Sequence, residues 1–207
     1  MKEINQYTRH DVTFNSATHD VLYDGFLKIE EYIFEHALFD GGVSKPIRRE
    51  ILERGHAVAV LPYDPRRDEI LLIEQIRIGA LATKESPWLL ECIAGMAEGS
   101  TDLEAVARKE AQEEAGLKLN NLHYMRSYLS SPGGTTERLY LYLAEVDLND
   151  YQGGTFGVES EGEDIKAHVM SFDEAMSRLE SEEIDNAATV ISLQWLALNK
   201  SKLATLL

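Results

Sequence analysis

Three glutamates give this chain its clearest chemistry. Glu110, Glu113 and Glu114 lie in residues 103–115, where the apolar spacing predicts a helix ended by Gly116 as a left-handed cap residue. On a wheel advancing roughly 100° per residue, Val106 and Ala107 flank Leu103 as an inward stripe. The three glutamates fall in that same sector, within an arc of roughly 100°, while Arg108, Gln112 and Ala115 take the opposite face. A merely solvated acidic helix would put its carboxylates opposite Leu103 and Val106. Carboxylates crowded on a partly enclosed face repel one another and are costly to desolvate. Either proton uptake or a divalent cation relieves that cost. Hard oxygen ligands favour Mg²⁺ or Mn²⁺ over zinc.

The elements that must position this helix are mostly strands. Patterning predicts strands over residues 56–63, 69–75, 88–93, 119–129, 138–146 and 165–170, and helices over 172–179 and 187–198. Asp64-Pro65-Arg66-Arg67-Asp68 reads as a turn, and Ser130 to Gly134 as a loop. Thr101 with Glu104 matches a capping box, and Asp102 is an alternative cap. Residues 151–164, rich in Gly and Glu, are expected to form a mobile loop. Ahead of all this, residues 21–39 are rich in Ile, Leu, Tyr and Phe, Asp40-Gly41-Gly42 signals a turn, and residues 47–52 suggest another strand. The segment 1–47 is too small to bury its own apolar face, so it is expected to pack on another element or another chain. Residues 48–207 form the main domain. The expected class is α+β, a mixed sheet with a few helices.

Composition bounds the partners. The 207 residues carry 20 Lys+Arg against 36 Asp+Glu, a formal net charge of −16. That field disfavours nucleic acid and anionic membranes, so a phosphate substrate needs local arginines or a metal ion as a bridge. Cys92 is the one cysteine, which excludes an intrachain disulfide, and it reads as a packed strand residue. The start, Met1 to Gln6, has no apolar signal core, and no apolar run approaches ~20 residues. A cytoplasmic protein with no membrane segment is expected. The histidines His10, His19, His36, His56, His123 and His168 are scattered, so none is assigned to a metal.

The stretch from Gly95 to Leu117 resembles the Nudix box. Gly95 stands at the required distance before the core Lys109-Glu110-Ala111-Gln112-Glu113-Glu114-Ala115-Gly116-Leu117. Two positions depart from the pattern: Thr101 replaces a Glu, and Lys109 replaces an Arg. Lys109 keeps the charge but lacks the bidentate fork. Other matching stretches are Arg48-Arg49-Glu50 with Arg54 and His56, residues 72–78, and Ser86 to Glu91. Ser131-Pro132-Gly133-Gly134 with Glu137-Arg138 and Glu161-Gly162-Glu163-Asp164-Ile165 complete the set. Together these are most similar to the bacterial Nudix enzymes that split ADP-ribose into AMP and ribose 5-phosphate.

The resemblance implies a Nudix-type α/β/α sandwich with a mixed sheet, plus a small N-terminal antiparallel β segment used in dimerisation. It implies that the backbone carbonyl of Ala94, with Glu110 and Glu114, holds Mg²⁺, with Mn²⁺ as a substitute. Glu163 joins from the loop when substrate binds, and Glu113 supports the cluster as a ligand or through a water. Glu161 is the implied general base, with Glu159 left open by spacing. Arg49, Glu50, Arg54, Arg77, Met96, Ser131, Gly133 and Glu137 contact the nucleotide sugar, and Phe26 stacks on adenine. The resemblance also implies a homodimer made by exchange of N-terminal strands, with sites that take residues from both chains. Without the resemblance, Arg49 and Arg54 read as surface ion-pair residues, Phe26 as core, and the loop as solvated. Two rivals stand beside it. One is a Nudix hydrolase of another nucleotide sugar such as GDP-mannose. The other is a non-catalytic ADP-ribose-binding module, which only Thr101 and Lys109 support.

Overall fold

The computed structural model describes residues 12–203, with side-chain surroundings from residue 20 onward. The opening hexapeptide and His10 lie outside the described residues, as does the side chain of His19. The chain divides into two units. One comprises the residues up to 55 together with 129–137, the other residues 56–128 and 138 onward.

The first unit is a three-stranded antiparallel sheet in the order β1 (Val12–Asp24), β2 (Lys28–His36), β3 (Ile47–Glu53). Gly41 and Gly42 take φ of 90° and 85° in the turn after β2, a region that glycine enters without a Cβ penalty. Residues 129–137 are tied to β3: the Leu52 N–H donates to the Gly134 carbonyl (2.8 Å), and the Thr136 N–H to the Leu52 carbonyl (3.2 Å). No apolar side chain is buried among the described residues of this unit. Three carboxylates are: Glu30 paired with Lys28 and Tyr32, Glu31 paired with Arg48, and Glu137 paired with Arg54. Val21, Leu22, Tyr23, Phe26, Leu27 and Phe39 stand exposed.

The second unit is a mixed sheet with helices on both faces. Its strands are β4 (Ala57–Asp64), β5 (Glu69–Ile76), β6 (Trp88–Glu91), β7 (Ile93–Met96), β8 (Asn121–Leu129), β9 (Arg138–Glu145), β10 (Gly154–Phe156) and β11 (Ile165–Ser171). The order is β10-β11-β5-β4-β9-β8, with β6 paired to β5 and β7 to β4. β4 runs parallel to β9 and antiparallel to β5. All eight residues of β4 are buried, as expected for a strand covered on both faces. Val58 and Val60 face α1 (Leu103–Ala115), whereas Ala59, Leu61 and Tyr63 face α2 (Phe172–Glu180) and α3 (Ala187–Asn199).

Two expected elements differ. Residues 88–93 are not one strand but two, because the chain leaves β5 at Glu91 and joins β4 at Ile93. Cys92 lies at that switch, and its N–H goes to Thr189 Oγ1 on α3 (2.8 Å) instead of a ladder. Residues 151–164 are not wholly loop, since β10 pairs with β11 and Glu159–Glu161 forms a 3-10 turn. A further 3-10 turn, Ile78–Ala82, had no periodic signal.

Candidate active site

The acidic helix begins where Asp102, not Thr101, caps it: Asp102 Oδ1 accepts from the Ala105 N–H at 3.0 Å. Gly116 ends it at φ 62°, its N–H reaching the Gln112 carbonyl (3.1 Å). The helix packs on the sheet through Ala107, Ala111 and Ala115, all fully buried. Ala115 is thus on the packed face, not the opposite one. On the wheel the buried centre lies roughly 70° from Leu103, toward Ala111. That rotation grades the carboxylates. Glu114 is inside the packed arc and 3% exposed, while the side chains of Glu110 and Glu113 are 15% and 33% exposed.

β7 supplies the opposing wall. Ala94 lies opposite Ala59, and its N–H turns away from β4 to donate to Glu114 Oε2 at 3.0 Å. In extended backbone a residue's N–H and C=O share a side, so the Ala94 carbonyl belongs to the same edge as this carboxylate. The next residue, Gly95, has no room for a side chain: a Cβ there would overlap the carboxyl carbon of Glu110. The glycine is what lets Glu110 lie against the strand.

Burial pushes the Glu114 carboxyl up to about 8, against the Ala94 hydrogen bond, and the charges of Glu110 and Glu163 push the same way. Burial also raises Glu110, opposed by Lys109 and reinforced by Glu113 and Glu163. No cationic side chain pairs with Glu114 among the described residues. Lys109 Nζ stands 2.8 Å from Glu113 and 3.4 Å from Glu110, and its hydrogen bond to Glu113 leads in raising its own pKa.

Glu163 is half-buried after the 3-10 turn, and its Oε2 accepts the Val158 N–H at 2.9 Å. The Gly157 N–H bonds the Glu113 carbonyl at 3.1 Å, tying the loop to the end of the helix. Glu159 and Glu161 are both exposed on that turn. The structure therefore brings Glu110, Glu113, Glu114 and Glu163 into one electrostatic cluster, with Glu161 two residues from Glu163. Among the described residues, no three His, Cys, Asp or Glu side chains already enclose a point where an ion could sit. The donor set nonetheless fits a hard divalent cation. A buried carboxylate without a counter-ion, two more beside it, a backbone carbonyl on the same edge and a glycine gap are what such an ion requires.

Arg77, just past β5, is held by Glu91: Nη2 lies 2.9 Å and Nε 3.0 Å from Oε2, the oxygen that also accepts from Gln75 at 3.2 Å. Glu91 thus orients Arg77, a contact across strands that its place in the sequence, as the last residue of the matching stretch from Ser86, does not reveal. Met96 ends β7 opposite Ala57.

The other expected substrate residues lie in the first unit. Phe26 is fully exposed, so it is not core. Arg54 pairs with the largely buried Glu137 at 3.2 Å. Arg49 has no carboxylate partner among the described residues; its Nη1 donates to the Arg48 carbonyl (2.7 Å). Its side chain borders an open pocket of about 510 Å³ lined also by Tyr32, Phe34, Ile51, Pro132 and Gly133. Tyr32, Phe34 and Ile51 went unnoticed in the sequence because alternating strand residues carry no chemical signature. Glu50 is exposed opposite Glu31, and the carbonyl of Ser131 accepts from Gly134 and Thr135 N–H groups, both at 2.9 Å.

The model of the NUDIX domain matches residues 53–193. The chain is 50% identical over 184 residues to an ADP-ribose pyrophosphatase of Escherichia coli (strain K12), covering 89% of this chain and 88% of the relative. It is 43% identical over 206 residues to the Haemophilus influenzae ADP-ribose pyrophosphatase, covering 98% and 94%. Identity to a GDP-mannose pyrophosphatase of Pectobacterium atrosepticum is 34% over 177 residues, covering 84% and 89%. A crystal structure of an ADP compounds hydrolase superposes with a TM-score of 0.67 at 15% identity, covering 93% of this chain and 96% of that one, which is a likeness of fold.

Proposed function

Since the chain belongs to the Nudix family, we propose that it hydrolyses the diphosphate of ADP-ribose to AMP and ribose 5-phosphate with a divalent cation, Mg²⁺ or Mn²⁺. The observation that carries the reading is Glu114: a buried carboxylate on the family's helix that no cationic side chain pairs with among the described residues, in a chain half identical to a relative named for that activity.

Glu110, Glu114, the Ala94 carbonyl and Glu163 are the groups that hold the cation, and Glu113 supports them. A cation bound there offsets the negative charge of the diphosphate oxygens. Glu161, exposed on the 3-10 turn, takes the proton of the attacking water, and Glu159 is the alternative on the same turn. Arg77, Arg54 and Arg49 complement the remaining charge. Two of them arrive already oriented, Arg77 by Glu91 and Arg54 by Glu137, which lowers the ordering cost on binding. Phe26, with its whole ring exposed, offers a stacking face for adenine, and Glu50, Met96, Ser131 and Gly133 complete the contacts. The acidic field and the absence of a helix long and apolar enough to cross a membrane among the described residues favour a small-molecule substrate and a cytoplasmic setting. The exposed apolar side chains of the first unit favour a homodimer.

A panel of ADP-ribose, GDP-mannose and NADH with Mg²⁺, with products identified, tests the substrate. ADP-ribose should give AMP and ribose 5-phosphate with the highest kcat/KM. Faster turnover of GDP-mannose would transfer the assignment to that sugar. Tight binding of ADP-ribose without cleavage would make the chain a sensor.

A further inference from the structure

We propose that Lys109 is a tethered counter-ion that competes with the divalent cation for Glu110 and thereby sets the metal affinity of the site. The inference rests on the metal reading above. Among the described residues, Lys109 is the one cation within ion-pair distance of Glu110, Glu113, Glu114 or Glu163. The other two carboxylates are held by neutral donors, Glu114 by the Ala94 N–H and Glu163 by the Val158 N–H.

The geometry is unequal. Lys109 lies 2.8 Å from Glu113, its i,i+4 partner, and 3.4 Å from Glu110. The lysine side chain is 61% exposed, whereas that of Glu110 is 15% exposed. Lys109 can therefore swing into water without loss of solvation, and Glu110 cannot. An ammonium is a compact point charge that can be shared between two carboxylates. On loading, Glu110 exchanges the ammonium for the cation, and Lys109 remains on Glu113. The lysine is a positioning residue that keeps the acidic face partly neutral until the ion arrives.

Calorimetric titration of Mn²⁺ into metal-stripped full-length protein, without substrate, reads this directly. Lys109→Met removes both competitor and repelling charge, so Mn²⁺ should bind about two- to fivefold tighter, an exposed pair's worth of interaction. Lys109→Arg keeps the charge and should stay within about twofold of the parent, because an exposed charge changes such an equilibrium little when only its shape differs. The gap between parent and Lys109→Met should narrow in high salt. Unchanged or weaker binding by Lys109→Met overturns the proposal, as does an equal shift in both variants. If the parent itself binds no Mn²⁺, it is the metal reading that fails.

Discussion

Glu114 concentrates the electrostatic problem of the site in one side chain. It is 3% exposed, one backbone N–H satisfies it, and no cation pairs with it among the described residues. Its carboxyl is pushed up to about 8, so in metal-free protein it is largely protonated at neutral pH. The sign follows from linkage. The folded value exceeds the ordinary glutamate value of 4.5, so the folded state holds the extra proton between 4.5 and about 8. The metal-free protein should lose stability as pH rises through that window and lose no more from this group above it. Glu114→Gln should flatten that part of the profile in thermal melts with chelator. The same change removes an oxygen that the proposed function assigns to the metal, and on that proposal activity should fall roughly 10²-fold or more. A variant with near-parental turnover, or with the parental pH slope, would remove Glu114 from the role given to it.

The helix α1 is the element that turns separate carboxylates into a cluster. Its register on the sheet depends on small residues, because Ala107, Ala111 and Ala115 are each at most 1% exposed. Ala111→Leu should lift the helix from β7. Overpacking of this kind costs about 1–3 kcal/mol. Activity measured well below the melting midpoint should fall further than that destabilisation explains, since Glu110 and Glu114 move away from the Ala94 edge together. A variant that melts lower but turns over normally would show that this register is not critical. The helix itself was legible in the sequence, with the same bounds, because periodicity and Gly116 agreed. Its facing was legible only in part. Leu103 and Val106 dominate a hydrophobicity count, but both are half-buried, and the alanines that make the contact weigh little in such a count. The break at Cys92 was invisible for a similar reason: residues 88–96 are continuously apolar enough for one strand, and only tertiary pairing decides that β5 gives way to β4. Glu91 and Gln75, which aim Arg77, were equally hidden, since their role exists only across a strand pair.

At the scale of the whole molecule, two features of the surface oppose each other. The first unit buries no apolar side chain among its described residues, yet exposes Val21, Leu22, Tyr23, Phe26, Leu27 and Phe39. Surfaces of that kind on a small sheet mark association sites. Against this, each chain carries a formal charge of −16, so two copies repel at long range. Salt screens that repulsion beyond a Debye length of about 8 Å at physiological ionic strength, while apolar burial is not weakened by it. If the homodimer forms through these side chains, added sodium chloride should tighten it, the opposite of an interface built on ion pairs. Sedimentation equilibrium across salt concentrations checks the sign. The paired change Leu22→Lys and Leu27→Lys should shift the protein to monomer, because each introduces a charge that association would have to desolvate. A monomer in the parent protein at micromolar concentration and raised salt, with full activity, would show that the exposed sheet serves another purpose.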